Sequence, residues 1–253
     1  MKREDRRHPL AAFLVSQGMR RGIKRNFNAV RLSEAEAISA GDGPYIICAN
    51  HPGWWDPAVF AFLQHTYFPE TCGYGPIEAA ALKRYPLLER AGLLPVDIKD
   101  RSSLRRFLRT AQRILEAGNI LWITPQGHFS DVRQRPVVLQ SGFAHLARLV
   151  PGVRMVPLAI EYSFWTESKP ELFLRFGATL TLNPAETTQS MKTRMEQALT
   201  ETMDRLACDV QSHEPERFRT LLEGKNGVGG FYDIGRRVRQ WLRGARFEAG
   251  HKP

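Results

Sequence analysis

Apolar residues fall along this chain in two rhythms, short uninterrupted runs and longer stretches with three-four spacing. Tyr45-Ile46-Ile47-Cys48-Ala49 and Ile120-Leu121-Trp122-Ile123 contain almost no polar position, the pattern of strands covered on both faces. Leu93 to Val96 and Val153 to Tyr162 read the same way, Cys72 to Tyr74 is a shorter strand candidate, and Leu172 to Leu182 alternates loosely enough for a strand. The helical rhythm is clearest from Asp100 to Gly118, where Leu104, Phe107, Leu108, Ala111, Ile114 and Leu115 share one face and Gly118 closes the element. Further helices are predicted over Pro9–Arg25, Asp56–Gln64, Ile77–Ala91 with a break near Pro86, Gly142–Val150, Thr187–Val210 and Tyr232–Arg246. Ser33 to Gly43 reads as loop or a short helix ending at Gly41, Ser212 to Glu216 as a break, and Gly224 to Gly230 as a glycine-rich hinge.

Strands alternating with helices predict an α/β fold, a single domain with an open, mostly parallel sheet flanked by helices, plus basic N- and C-terminal helices. Three divisions follow: a basic N-terminal helical segment at 1–31, the main domain at 32–224, and the hinge with a basic amphipathic C-terminal helix at 225–253. In the Thr187–Val210 helix, Met191, Met195, Leu199, Met203 and Leu206 form a stripe that suits either the core or a lipid groove.

At 253 residues, 43% of them hydrophobic, the chain suffices for one sizeable core, and a second full domain is not expected. The three cysteines have no C-x-x-C spacing and are expected to be reduced, which favours the cytoplasm. Charge is concentrated at the ends. Residues 1–31 hold nine Lys/Arg against two acids and residues 225–253 seven against two, so the ends carry +7 and +5 of the net +10 and the middle carries −2. Such a distribution suits docking on a polyanionic surface, either anionic lipid or nucleic acid. No helix-turn-helix, zinc-finger or aromatic RNA-binding signature is present, so nucleic acid is not the expected partner. No apolar run is long enough to span a bilayer, and the Leu10–Val15 run lacks the cleavage site of a secretory signal. In the Tyr232–Arg246 helix, Ile234, Val238, Trp241 and Leu242 face away from Arg236, Arg239, Arg243 and Arg246. That helix either lies in a membrane interface or covers the core with its arginines in water.

Candidate chemistry begins where the first apolar run ends, at Asn50-His51-Pro52-Gly53-Trp54-Trp55-Asp56. Five residues of helix turn through about 500°, so only a loop can bring Asp56 to His51, and Pro52-Gly53 supplies one. A carboxylate bonded to one imidazole nitrogen leaves the other free to take a proton from a hydroxyl. The alternative is that Asp56 simply caps the following helix. No G-x-S-x-G elbow, Walker-type loop or H-E-x-x-H pattern occurs, and no metal site is expected.

Asn50-His51 followed by Asp56 resembles the N-H-x-x-x-x-D motif of the glycerophospholipid acyltransferase family, which includes the lysophosphatidic acid acyltransferases (1-acylglycerol-3-phosphate O-acyltransferases). Gly92-Leu93-Leu94-Pro95-Val96-Asp97, Thr124-Pro125-Gln126-Gly127-His128-Phe129-Ser130 and Val156-Pro157-Leu158-Ala159-Ile160 are similar to its second, third and fourth blocks, so the resemblance covers roughly Tyr45 to Tyr162. It implies a role in phospholipid biosynthesis, transferring a fatty acyl group from acyl-CoA or acyl carrier protein to a hydroxyl of a lipid acceptor without a cofactor. His51 would be the general base and Asp56 its orienting partner. Asn50, Gly92, Asp97, Pro125, Gln126, Gly127, His128 and Pro157 would contact substrate.

Two blocks depart from the family pattern, the third also at His128 and Phe129, which replace the residues that usually follow the glycine. Gln126 stands where the family usually has Glu, and Ile98 where an arginine often follows Asp97. Both bear on recognition of the acceptor, commonly of its phosphate. Lys99, Arg101, Arg133 and Arg135 are nearby cations that could substitute, or ordinary surface charges. Competing readings are a thioester hydrolase using water as acceptor and a non-catalytic basic protein that binds membrane or nucleic acid. The expected location is cytoplasmic, peripheral on the inner face of the membrane.

Each terminal arginine near an anionic surface contributes roughly 1 kcal/mol of attraction, screened over about a Debye length. Deleting residues 231–253 is therefore expected to move protein from anionic vesicles to the soluble fraction, and salt to do the same. Unchanged co-sedimentation would contradict this.

Overall fold

The computed structural model of the protein describes residues 7–33, 43–181, 183 and 185–224. Among these the chain forms nine strands and seven α-helices: α1 (Pro9–Asn26), β1 (Ala29–Ser33), β2 (Tyr45–Ala49), α2 (Asp56–Tyr67), β3 (Gly73–Glu78), α3 (Ala79–Arg84), α4 (Leu87–Ala91), β4 (Leu93–Val96), α5 (Arg101–Glu116), β5 (Ile120–Ile123), α6 (Gly142–Leu149), β6 (Arg154–Ser163), β7 (Glu171–Phe176), β8 (Leu180–Thr181), α7 (Thr188–Ser212) and β9 (Phe218–Glu223). The stretch 34–42, the hinge beyond Gly224 and the helix expected over Tyr232–Arg246 lie outside the described residues.

One sheet carries all the strands in the order β4-β3-β5-β2-β6-β7-β1-β9, with β8 also on β6. From β4 to β6 every neighbouring pair is parallel, β7 runs antiparallel to β6, and β9 antiparallel to β1. The expected α/β architecture with a mostly parallel sheet is therefore present. The solid apolar runs are its centre: every residue of β2 and β5 is buried. Alternate side chains feed two cores, as the two-residue period of a strand requires. Ile46, Cys48, Leu121 and Ile123 meet α5, α6 and α7 on one face. Tyr45, Ile47, Ala49 and Trp122 meet α2 and the end of α1 on the other.

Asp100 caps α5 by accepting from the N–H groups of Ser102 (2.8 Å) and Ser103 (3.2 Å), which explains why the helix with the clearest three-four pattern starts there. The methionine stripe of α7 is core: Met191, Met195, Leu199, Met203 and Leu206 are all buried.

Four expectations change. The predicted helix Ile77–Ala91 is strand to Glu78 and then two short helices split at Pro86. The single strand expected over Leu172–Leu182 divides into β7 and β8, both antiparallel to β6: the Gly177 N–H still donates to the Pro157 carbonyl at 2.9 Å, and the pairing then slips by one residue, Leu158 facing Phe176 and Met155 facing Leu180. Strands β1 and β9 were not anticipated, and the division drawn after residue 31 cuts through β1. In the N-terminal segment Ala11, Ile23 and Phe27 are buried. No helix among the described residues is long and apolar enough to cross a membrane.

Gly92 ends α4 with φ +111°, and a Cβ there would lie 2.8 Å from the Gly73 carbonyl oxygen. Gly92→Ala is expected to destabilise the fold by about 1–3 kcal/mol, read as a lower denaturant midpoint. An unchanged midpoint would show that the turn tolerates a side chain.

Candidate active site

Strand β2 ends at Ala49 in the middle of the sheet, and the loop after it is tied to both neighbouring strands. Asn50 is 2% exposed, and its amide bonds the β6 backbone both ways, donating to the Ile160 carbonyl (2.9 Å) and accepting from the Ile160 N–H (2.7 Å). His51 is gripped through its own main chain. Its N–H donates to Gln126 Oε1 at 2.8 Å, and its carbonyl accepts from the Ser130 N–H at 2.9 Å. The loop after β5 thus clamps the loop after β2, and the imidazole stands at the carboxyl edge of the parallel strands, the edge where α/β sheets bind ligands.

Pro52-Gly53 turns the chain back so that Asp56, the first residue of α2, meets His51 Nδ1 at 2.5 Å through Oδ2. Asp56 is wholly buried while the His51 side chain is 20% exposed. Two further donors reach the carboxylate: the Tyr162 hydroxyl at 2.5 Å from Oδ1 and the Gly53 N–H at 3.4 Å from Oδ2. Asp56 does not act as a side-chain cap for α2; its oxygens serve the histidine and the tyrosine. With a carboxylate on Nδ1, that nitrogen carries the proton and Nε2 keeps its lone pair. Burial pushes the Tyr162 hydroxyl well above its ordinary pKa, and the Asp56 charge and hydrogen bond add to this, so it remains a donor. Burial likewise pushes the nearby Cys48 thiol far up, leaving it inert as a nucleophile. Phe129 lies over the imidazole with ring centroids 4.4 Å apart.

The other residues expected at the site divide clearly. Gln126 is buried and its oxygen is committed to the His51 backbone, so its first task is to hold the base. Asn50 has both amide atoms engaged by β6. Pro157 is buried within β6 opposite Cys48, and Pro125 gives its carbonyl to the Gln140 N–H at 2.7 Å. These three build the site and offer a ligand no free polar group. Gly127 supplies a φ of +77° for the turn that presents the exposed His128 and Phe129. Gly92 shapes the turn into β4, and Asp97, just after β4, accepts from the Lys99 N–H at 2.9 Å.

The four candidate phosphate-binding cations are not equivalent. Arg133 forms a two-pronged pair with Asp131 (2.9 and 2.7 Å), whose carboxyl is held well below the usual range chiefly by that side-chain hydrogen bond. Arg135 bonds Asp204 and the carbonyls of Val132 and Gln134. Both are therefore already partnered. Lys99 and Arg101 are exposed beside Ile98, itself 69% exposed. Among the described residues no group of three or more His, Cys, Asp or Glu side chains is placed to hold a metal ion.

Sequence reasoning missed Tyr162, Phe129 and Ser130 as site residues. The signal for Tyr162 was its place two residues beyond Ile160 on the β6 face that packs against α2, next to the start of the helix that carries Asp56.

No curated protein compared with the sequence matches it. Among solved structures, the fold is similar to that of the 1-acyl-sn-glycerophosphate (LPA) acyltransferase PlsC from Thermotoga maritima, with a TM-score of 0.54 and 16% sequence identity over 77% of this chain and 79% of that one. The family model described as Acyltransferase matches residues 29–161, from the start of β1 into β6, ending one residue before Tyr162. That match spans more than half of the chain and contains His51, Asp56 and the clamp around them, and the protein therefore belongs to the acyltransferase family.

Proposed function

We propose that the protein transfers a fatty acyl group from an acyl thioester, carried on coenzyme A or acyl carrier protein, to a hydroxyl of a lipid acceptor, with His51 as general base and Asp56 as its orienting partner. The observation that carries this reading is the 2.5 Å contact between His51 Nδ1 and the buried Asp56 carboxylate at the carboxyl edge of the sheet. In the reaction, Nε2 takes the acceptor's hydroxyl proton as its oxygen attacks the thioester carbonyl. The carbon–sulfur bond breaks, the imidazolium returns the proton to the departing thiolate, and the products are an ester and a free thiol. Asp56 stabilises the imidazolium that exists between these steps. A thioester is already activated, so the chemistry asks for no acyl-enzyme.

The surroundings of the site support work at a lipid interface. Trp54, Phe129 and Phe164 are 76%, 60% and 64% exposed and follow β2, β5 and β6, while Ile98 follows β4. All four strands are parallel, so these apolar side chains stand along the same edge as the imidazole. Lys99 and Arg101 beside them suit an anionic headgroup layer, as do the basic chain ends.

The acceptor we favour is a hydroxylated or glycosylated lipid without a phosphate monoester beside the reacting hydroxyl. Ile98 cannot bind an anion, and Arg133 and Arg135 already hold carboxylates. Because the Gln126 oxygen is occupied by the His51 N–H, that residue meets the acceptor, if at all, only as an amide donor.

His51→Ala is expected to reduce acyl transfer by about 10²- to 10⁴-fold while the chain still folds, with a lowered melting temperature because the buried Asp56 carboxylate loses a partner. Asp56→Asn should also lose activity, since its amide cannot stabilise an imidazolium. Full turnover by the His51 variant would remove the base assignment. Thiol release with and without lipid acceptors separates transfer from hydrolysis: release that ignores the acceptor would indicate a hydrolase.

In direct competition, monoacylglycerols or glycolipids are expected to be acylated in preference to lysophosphatidic acid. A clear preference for lysophosphatidic acid would show that Lys99 or Arg101, or a rearranged Arg133 or Arg135, binds the phosphate.

A further inference from the structure

We infer that Tyr162 is a positioning residue for acyl transfer: its hydroxyl holds the Asp56 carboxylate in the orientation that serves His51. This rests on the reading of His51 as the general base.

A carboxylate bonded on one side only can turn about its terminal torsion and offer either oxygen, or both, to a single partner. Asp56 is 0% exposed, so bulk solvent does not reach its remaining lone pairs. Its two oxygens are instead divided between partners, Oδ1 taking the Tyr162 hydroxyl and Oδ2 taking His51 Nδ1, each at 2.5 Å. That division sets the plane of the carboxylate, and the plane sets the direction in which the imidazole presents Nε2. The Gly53 N–H, at 3.4 Å, is too long to do the same alone.

Tyr162 is itself fixed from several sides. Two residues earlier in the same strand, Ile160 forms the paired bonds with Asn50 that lock β6 to the start of the histidine loop. The tyrosine ring lies 5.6 Å from Phe27 at the end of α1, and Phe27 in turn meets Trp55, the residue before Asp56, edge-on at 5.3 Å. Its other edge faces Gly53, where an added Cβ would come into van der Waals contact 3.4 Å from Tyr162 Cε2. Burial and the neighbouring carboxylate keep the phenol protonated, so it supplies a hydrogen bond and never a competing charge. The hydroxyl bonds the carboxylate oxygen that His51 does not use, so it acts through Asp56 and not on the substrate.

The test is a double-mutant cycle on kcat and KM for acceptor-dependent thiol release, using wild type, Tyr162→Phe, Asp56→Asn, the double variant, and His51→Ala as reference. Phenylalanine keeps the ring packing and removes only the donor, so the fold should persist with a lowered melting temperature, and the split between kcat and KM carries the test. Tyr162→Phe is expected to lower kcat about tenfold with KM unchanged. In the Asp56→Asn background the same substitution should cost less than about twofold, because no carboxylate remains to be oriented. An unchanged kcat in Tyr162→Phe, with His51→Ala inactive, would overturn the positioning role and leave the general base standing. The same loss in both backgrounds would also overturn it, showing an effect independent of Asp56. If His51→Ala itself turned over normally, the general-base reading would fall first and this inference with it. As a second measurement, the proton resonance of His51 Nδ1–H should move between wild type and Tyr162→Phe, and an identical resonance would count against the inference.

Discussion

Burying a carboxylate without partners costs on the order of several kcal/mol, and Asp56 has no exposed surface with which to avoid that cost. It is offset by donors from three places, His51 in the same loop, Gly53 in the turn and Tyr162 on the neighbouring strand. The arrangement holds only if β2, β6 and the start of α2 keep their mutual register. The paired Asn50–Ile160 bonds, the Gln126 and Ser130 contacts to the His51 backbone and the aromatic contacts of Phe27 all maintain that register. Much of the polar structure around the site thus supports one buried charge.

The same constraint explains why residues that look like ligand contacts in a sequence motif act as structure here. Asn50 and Gln126 sit where a substrate could be bound, yet each spends its hydrogen bonds on backbone that places the histidine. An acid in place of Gln126 could accept the same His51 N–H, so the neutral amide preserves the clamp and removes one negative charge from the edge of the site.

Around the base the surface is apolar and only sparsely cationic. Phe129 covers one face of the imidazole, and Trp54, Phe164 and Ile98 continue the apolar border along the ends of the parallel strands. The arginines that the sequence suggested for anion binding are engaged by Asp131 and Asp204, exposed pairs that contribute little to stability but occupy the guanidinium groups. Lys99 and Arg101 remain as the exposed cations beside Ile98.

By itself the sequence determined the fold class, the central strands and the long helices, because solid apolar runs at β2 and β5 and a three-four stripe in α5 each permit one backbone rhythm. It also placed the histidine at a strand end and showed that only a loop could return Asp56 to it. Strands β1 and β9 were not legible, since their pairing is with residues far away in the chain and their own short sequences carry no period of their own. The break after Gly177 was hidden for a similar reason: it is a one-residue slip in the pairing with β6, beside a glycine where the Thr202 hydroxyl leaves no room for a Cβ. Tertiary structure alone decided what each polar residue does. Tyr162 is 106 positions from Asp56 and Gln126 is 75 from His51, and a hydrogen bond across such distances is set by strand order and register, quantities that no local pattern encodes.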